Sequence, residues 1–136
     1  MNGREELRRP LEKALAAVAG LEAGENPIDG IDGTDNFDFL FSGVPNLVAN
    51  QDAAPYLPPY HAESDTVDRV NARELRANTA LASSLTWWLA ESPERFGRRL
   101  TREEVKKLLN ETKLDAQMKA FAQWEDFEAG RLGVSR

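Results

Sequence analysis

A chain of 136 residues is long enough to bury one hydrophobic core, and its 41% hydrophobic and 29% charged residues are globular values that exclude wholesale disorder. The net charge of -6 argues against a nucleic-acid partner, because a phosphate backbone needs a basic surface opposite it. The lack of cysteine excludes disulfides and thiolate metal sites, and the single histidine, His61, limits any metal site in the chain to one imidazole. No apolar run approaches the roughly 20 residues of a membrane-spanning helix. Met1 to Arg9 is charged from the start and lacks the apolar core of a secretory leader, which leaves the compartment open.

Leu7, Leu11, Leu15 and Val18 recur at helical spacing, and Pro10, which pushes Arg9 away from helical geometry, predicts that this helix starts near Pro10 and stops at Gly20. Leu21 to Thr34 is rich in glycine, aspartate and asparagine and reads as a loop. Asp35 to Gly43 predicts a turn or two of helix, with Asp35 available as its cap and Gly43 as its stop. The apolar run Val44 to Ala49 suits a buried strand, with Pro45 near its start. Prolines at 55, 58 and 59 keep Asn50 to Val70 irregular.

Asn71 and Glu74 are spaced as a capping box and open the clearest helix, about Ala72 to Glu91, with Leu75, Leu81, Leu85, Trp88 and Leu89 close to one stripe. Ser92-Pro93 ends it, and Pro93 to Arg99 is a basic connector. Thr101 and Glu104 repeat the capping-box spacing ahead of a helix through about Asn110. One more amphipathic helix is expected from Leu114 to Phe127, with Met118, Phe121 and Trp124 as apolar contacts. Helix, strand, loop, helix is an order that an α/β protein gives, although one strand without neighbours is not a stable layer.

The stretch Tyr60-His61-Ala62-Glu63-Ser64-Asp65-Thr66-Val67-Asp68 sets the only histidine among three carboxylates, and imidazole with carboxylate is donor chemistry for zinc. The same residues have simpler roles: a solvated histidine, and turn-forming Asp65, Thr66 and Asp68 ahead of the helix capped by Asn71. Gly43-Val44-Pro45, then Tyr60-His61, then Asp65-Thr66 with Asp68 and Val70, then an amphipathic helix, together resemble the end of the catalytic domain of metallopeptidase family M twenty-eight. That family contains bacterial aminopeptidases and plasma glutamate carboxypeptidases. The resemblance covers about Asp29 to Glu91.

The resemblance implies an α/β fold in which residues 1–92 are the C-terminal part of a mostly parallel-sheet zinc-exopeptidase domain and residues 93–136 a helical extension. It implies that His61 is the last metal ligand of a two-zinc centre, that Asp65 orders the loop and accepts from the His61 ring, and that Tyr60 lines the pocket for a peptide substrate. Asp35 matches an acidic position before the Gly-Val-Pro start, while also serving as a cap. The chain departs from the family at Asn36, where histidine is common, and in lacking an upstream His-x-Asp. Its two adjacent glutamate pairs, Glu5-Glu6 and Glu103-Glu104, do not stand where the family has its general base. A site with one imidazole lacks the shell that holds zinc and activates water, so the chain is expected to be inactive alone and to need the missing N-terminal part of the domain. The competing expectation is a stand-alone, non-catalytic helical module that binds another protein through its apolar helix faces.

Overall fold

The computed structural model describes residues 1–21, 34–50 and 52–133, and every regular element among them is helical. Seven α-helices follow in order: α1 Arg8–Ala16, α2 Asn36–Phe41, α3 Ala53–Tyr56, α4 Ala72–Glu91, α5 Arg102–Glu111, α6 Leu114–Ala120 and α7 Trp124–Glu128. The α/β architecture expected from the sequence is therefore corrected: no strand occurs among the described residues. Residues 22–33 of the loop expected over Leu21 to Thr34 lie outside them.

Val44 to Ala49 shows why the strand fails. A strand is stabilised by a ladder partner, and no second segment among the described residues offers one. The segment's first amide is instead spent on closing α2. Val44 N–H donates to Phe39 O at 2.9 Å and Gly43 N–H to Leu40 O at 2.8 Å, a Schellman ending with Gly43 in the left-handed region at φ 70°. A side chain at Gly43 would collide with the Leu100 carbonyl, whose own N–H donates to Gly43 O at 2.9 Å.

Among the described residues two hydrophobic clusters carry the fold. The larger gathers Phe37, Leu40 and Phe41 of α2 with Val105 and Leu109 of α5, Leu114 and Met118 of α6, and Phe127 of α7. Phe37 and Phe41 meet edge-on with centroids 4.5 Å apart, and the Arg102 guanidinium covers the Phe127 ring at 4.3 Å. Helix α5 opens on a complete Thr101–Glu104 capping box, as its spacing predicts. The single helix expected from Leu114 to Phe127 is broken after Ala120. Met118 and Phe127 stand nine positions apart, which at about 3.6 residues per turn puts them on opposite faces of one helix. The break, with Ala122 at φ 56° and Gln123 N–H donating to Met118 O at 2.8 Å, rephases the chain so that both are buried. Phe121, expected as an apolar contact, is turned out to solvent.

The smaller cluster is Met1, Leu7 and Leu11, with Leu15, Leu47, Leu85 and Phe96 packed against it. Helix α1 begins at Arg8, earlier than Pro10 suggests. Pro10 sits in the first turn, where its missing N–H would have had no intrahelical acceptor. Arg4 joins the two clusters. Its guanidinium is buried and donates through Nε to Glu6 at 2.7 Å, through Nη1 to Gly43 O at 3.4 Å and through Nη2 to Arg98 O at 2.7 Å.

Candidate functional site

Prolines 55, 58 and 59 leave only the four-residue helix α3 before a chain of tight turns, and His61 stands in the middle of them. Asp52 caps α3, accepting from Ala54 N–H at 3.0 Å. Tyr60 N–H then donates to Leu57 O at 3.3 Å, Ala62 N–H to Pro59 O at 2.9 Å, and Asp65 N–H to Ala62 O at 3.0 Å. These turns hold His61 at φ 56°, a left-handed conformation that a side-chain-bearing residue adopts at some cost.

The Tyr60 ring stacks on the His61 imidazole at 4.0 Å with planes 20° apart, and Tyr56 leans on Tyr60 with centroids 5.0 Å apart. All three side chains remain open to solvent. The Tyr56 phenol is pushed above its usual value, first by desolvation and then by the neighbouring Tyr60 and Asp65. Among the described residues no hydrogen bond joins the Asp65 carboxylate to the His61 ring. Asp35 is remote from this cluster in sequence and stands at the N-cap of α2, exposed and without a side-chain capping bond.

Among the described residues no group of three His, Asp or Glu side chains is placed to hold a metal ion. His61 with its stacked tyrosine is one imidazole, and a zinc shell needs three or four protein donors. The described residues therefore do not fit a complete zinc centre. No helix among them is long and apolar enough to cross a membrane.

No family model, curated protein or solved structure matches this chain. What bears on function is thus the chain's own geometry, and its most unusual part is α4. Between Arg76 and Glu91 this helix carries no charged side chain, and none of its twenty residues is buried. Leu81, Leu85, Trp88 and Leu89 are half-covered, Leu85 against the cluster of Met1, Leu7 and Leu11, while Leu75 and Trp87 are 55% and 69% exposed. Thr79 and Thr86 turn their hydroxyls onto the helix's own Leu75 and Ala82 carbonyls, at 2.7 Å and 2.8 Å, and so present methyl groups outward. A helix without charge on any side belongs in an interior. The apolar stripe was legible from the sequence; the uncharged outer face was not singled out, though the missing charge from Ala77 to Ala90 was there to find.

Proposed function

We propose that this chain is a portion of a zinc-dependent exopeptidase of the metallopeptidase family M twenty-eight type, that it presents His61 as one ligand-capable imidazole, and that it is silent without further polypeptide. One observation carries the reading. No described residue from Val44 to Glu104 is buried, and this stretch holds Val44-Pro45, Tyr60-His61, Asp65-Thr66 and α4, which is the resemblance without its buried first residue, Gly43. The chain buries side chains of α1, α2 and α5 to α7, lends the partly buried Leu47, Leu85, Phe96 and Leu100 of this stretch to the edges of its cores, and leaves the rest for a catalytic domain to cover. A turn-rich loop with a strained backbone and stacked aromatic rings suits a ligand held by packing against a neighbour. The donors and general base that His61 lacks must then come from outside this sequence.

The test is to read the coding DNA upstream of the Met1 codon and express whatever open frame it contains. An in-frame extension with a His-x-Asp and a Glu-Glu pair supports the proposal, and in that longer protein His61→Ala should abolish release of terminal residues from peptides. Undiminished hydrolysis by the variant would overturn the ligand role of His61. A stop codon directly upstream would overturn the exopeptidase reading altogether.

The exposed, uncharged α4 favours one second reading, a non-catalytic helical module that docks another protein on that helix. It requires the chain to fold cooperatively by itself and to ignore zinc in thermal unfolding.

A further inference from the structure

The first four residues form a tight turn: Arg4 N–H donates to Met1 O at 3.2 Å, and the central residues Asn2 and Gly3 lie at φ 48° and 80°. Two central residues in the left-handed region are what asparagine followed by glycine supplies most readily. The turn is docked, not free. Asn2 is 1% exposed and its Nδ2 donates to Asn46 Oδ1 at 2.5 Å, while the Gly3 Cα is packed so closely that an added methyl would lie 2.8 Å from Leu108 Cδ1. The same dipeptide is chemically labile, because glycine places no side chain in the way of its own nitrogen.

We propose that Asn2 is a self-modification site whose conversion to aspartate and isoaspartate is held back while the Met1–Arg4 turn is docked and proceeds when it opens. The Gly3 nitrogen gives up its proton to solvent and bonds to Cγ of Asn2; the Cγ–Nδ2 bond breaks and the nitrogen leaves as ammonia. Water then opens the five-membered imide at either carbonyl, giving aspartate or isoaspartate. One water is consumed, one ammonia is released, and nothing is oxidised or reduced. In the docked turn Cγ cannot swing onto the Gly3 nitrogen without the side-chain amide leaving Asn46, and the burial of Asn2 excludes the water that completes the reaction. The product cannot return to the same seat. Isoaspartate lengthens the main chain by one atom where Leu108 and Thr112 already crowd Gly3, and aspartate sets a carboxylate against the side-chain amide oxygen of Asn46. Opening of the amino-terminal arm would thus be recorded covalently.

The full chain is incubated at mildly alkaline pH in buffer and in concentrated guanidinium chloride, and the Met1–Arg4 peptide is followed by mass spectrometry. Conversion should be about tenfold or more slower in the folded chain, since only its opened fraction reacts. Asn46→Ala, which removes the docking partner, should raise the folded rate several-fold and leave the denatured rate unchanged. Equal rates in buffer and denaturant would overturn the protection, and so would an Asn46→Ala chain that reacts no faster than the parent. Absence of conversion in denaturant would overturn the site itself.

Discussion

Gly43 and Arg4 each tie distant parts of the described chain together, and they fail differently. Gly43→Ala forces a side chain into a left-handed backbone and against the Leu100 carbonyl, neither of which can give way. The cost should exceed about 2 kcal/mol in urea unfolding, whereas alanine for glycine on a compatible backbone stabilises by about 0.4–1 kcal/mol. Arg4→Ala removes a buried fork and leaves Arg98 O without its donor, which should cost about 1–3 kcal/mol. Arg4→Lys should recover only part of that loss, since an ammonium cannot reach Glu6, Gly43 O and Arg98 O together. Full recovery by lysine would mean that charge, and not the planar fork, holds the junction.

Helix ends decide the next scale. Ala122 sits at φ 56° in the break between α6 and α7, so Ala122→Gly should stabilise the chain by about 0.5–1 kcal/mol; a loss would show that the residue is not left-handed in solution. The Arg98 guanidinium donates to Glu104, which also accepts from Thr101 N–H in the capping box of α5, and these contacts bring its carboxyl down from 4.5 to about 2. A carboxylate with a depressed folded pKa contributes stability above its unfolded value and loses it as the pH falls toward the folded one. Unfolding midpoints of the parent should therefore drop between about pH 5 and pH 2 more steeply than those of Glu104→Gln, and added salt should narrow the difference. The Asn71 cap, whose Glu74 accepts from the Asn71 side chain and not its backbone, and the complete capping box at Thr101 were readable because a cap is a local matter of side chain and near backbone. The strand at Val44 to Ala49 was misread because apolar residues in a row fit any buried backbone, and only a partner makes them a strand. The break at Ala122 was hidden for a related reason: the residues from Leu114 to Phe127 are helical in character, and only the shared core demands that Met118 and Phe127 face the same way. At the candidate site, the irregular loop around His61 was legible from the prolines, whereas the stacking of Tyr60 on the imidazole depends on turn geometry.

For the whole molecule, the division between covered and uncovered chain predicts where it is vulnerable. Limited proteolysis should cut first between Asp52 and Val70, where every residue but Pro59 is exposed and helices are only three or four residues long, and last within α5 to α7. Early cleavage inside α5 would show that the larger cluster does not hold in solution. The Arg4 junction also has a kinetic side. Its contacts with Gly43 and Arg98 span 39 and 94 positions of sequence, whereas α5, α6 and α7 are joined by turns of a few residues and can assemble with little loop closure. The short-range helices should form the folding nucleus, and the amino-terminal arm should arrive after the barrier has been crossed. Arg4→Ala would then leave the refolding rate almost unchanged and take its effect in faster unfolding, so that one arginine sets how long the folded chain lasts without setting how fast it is made.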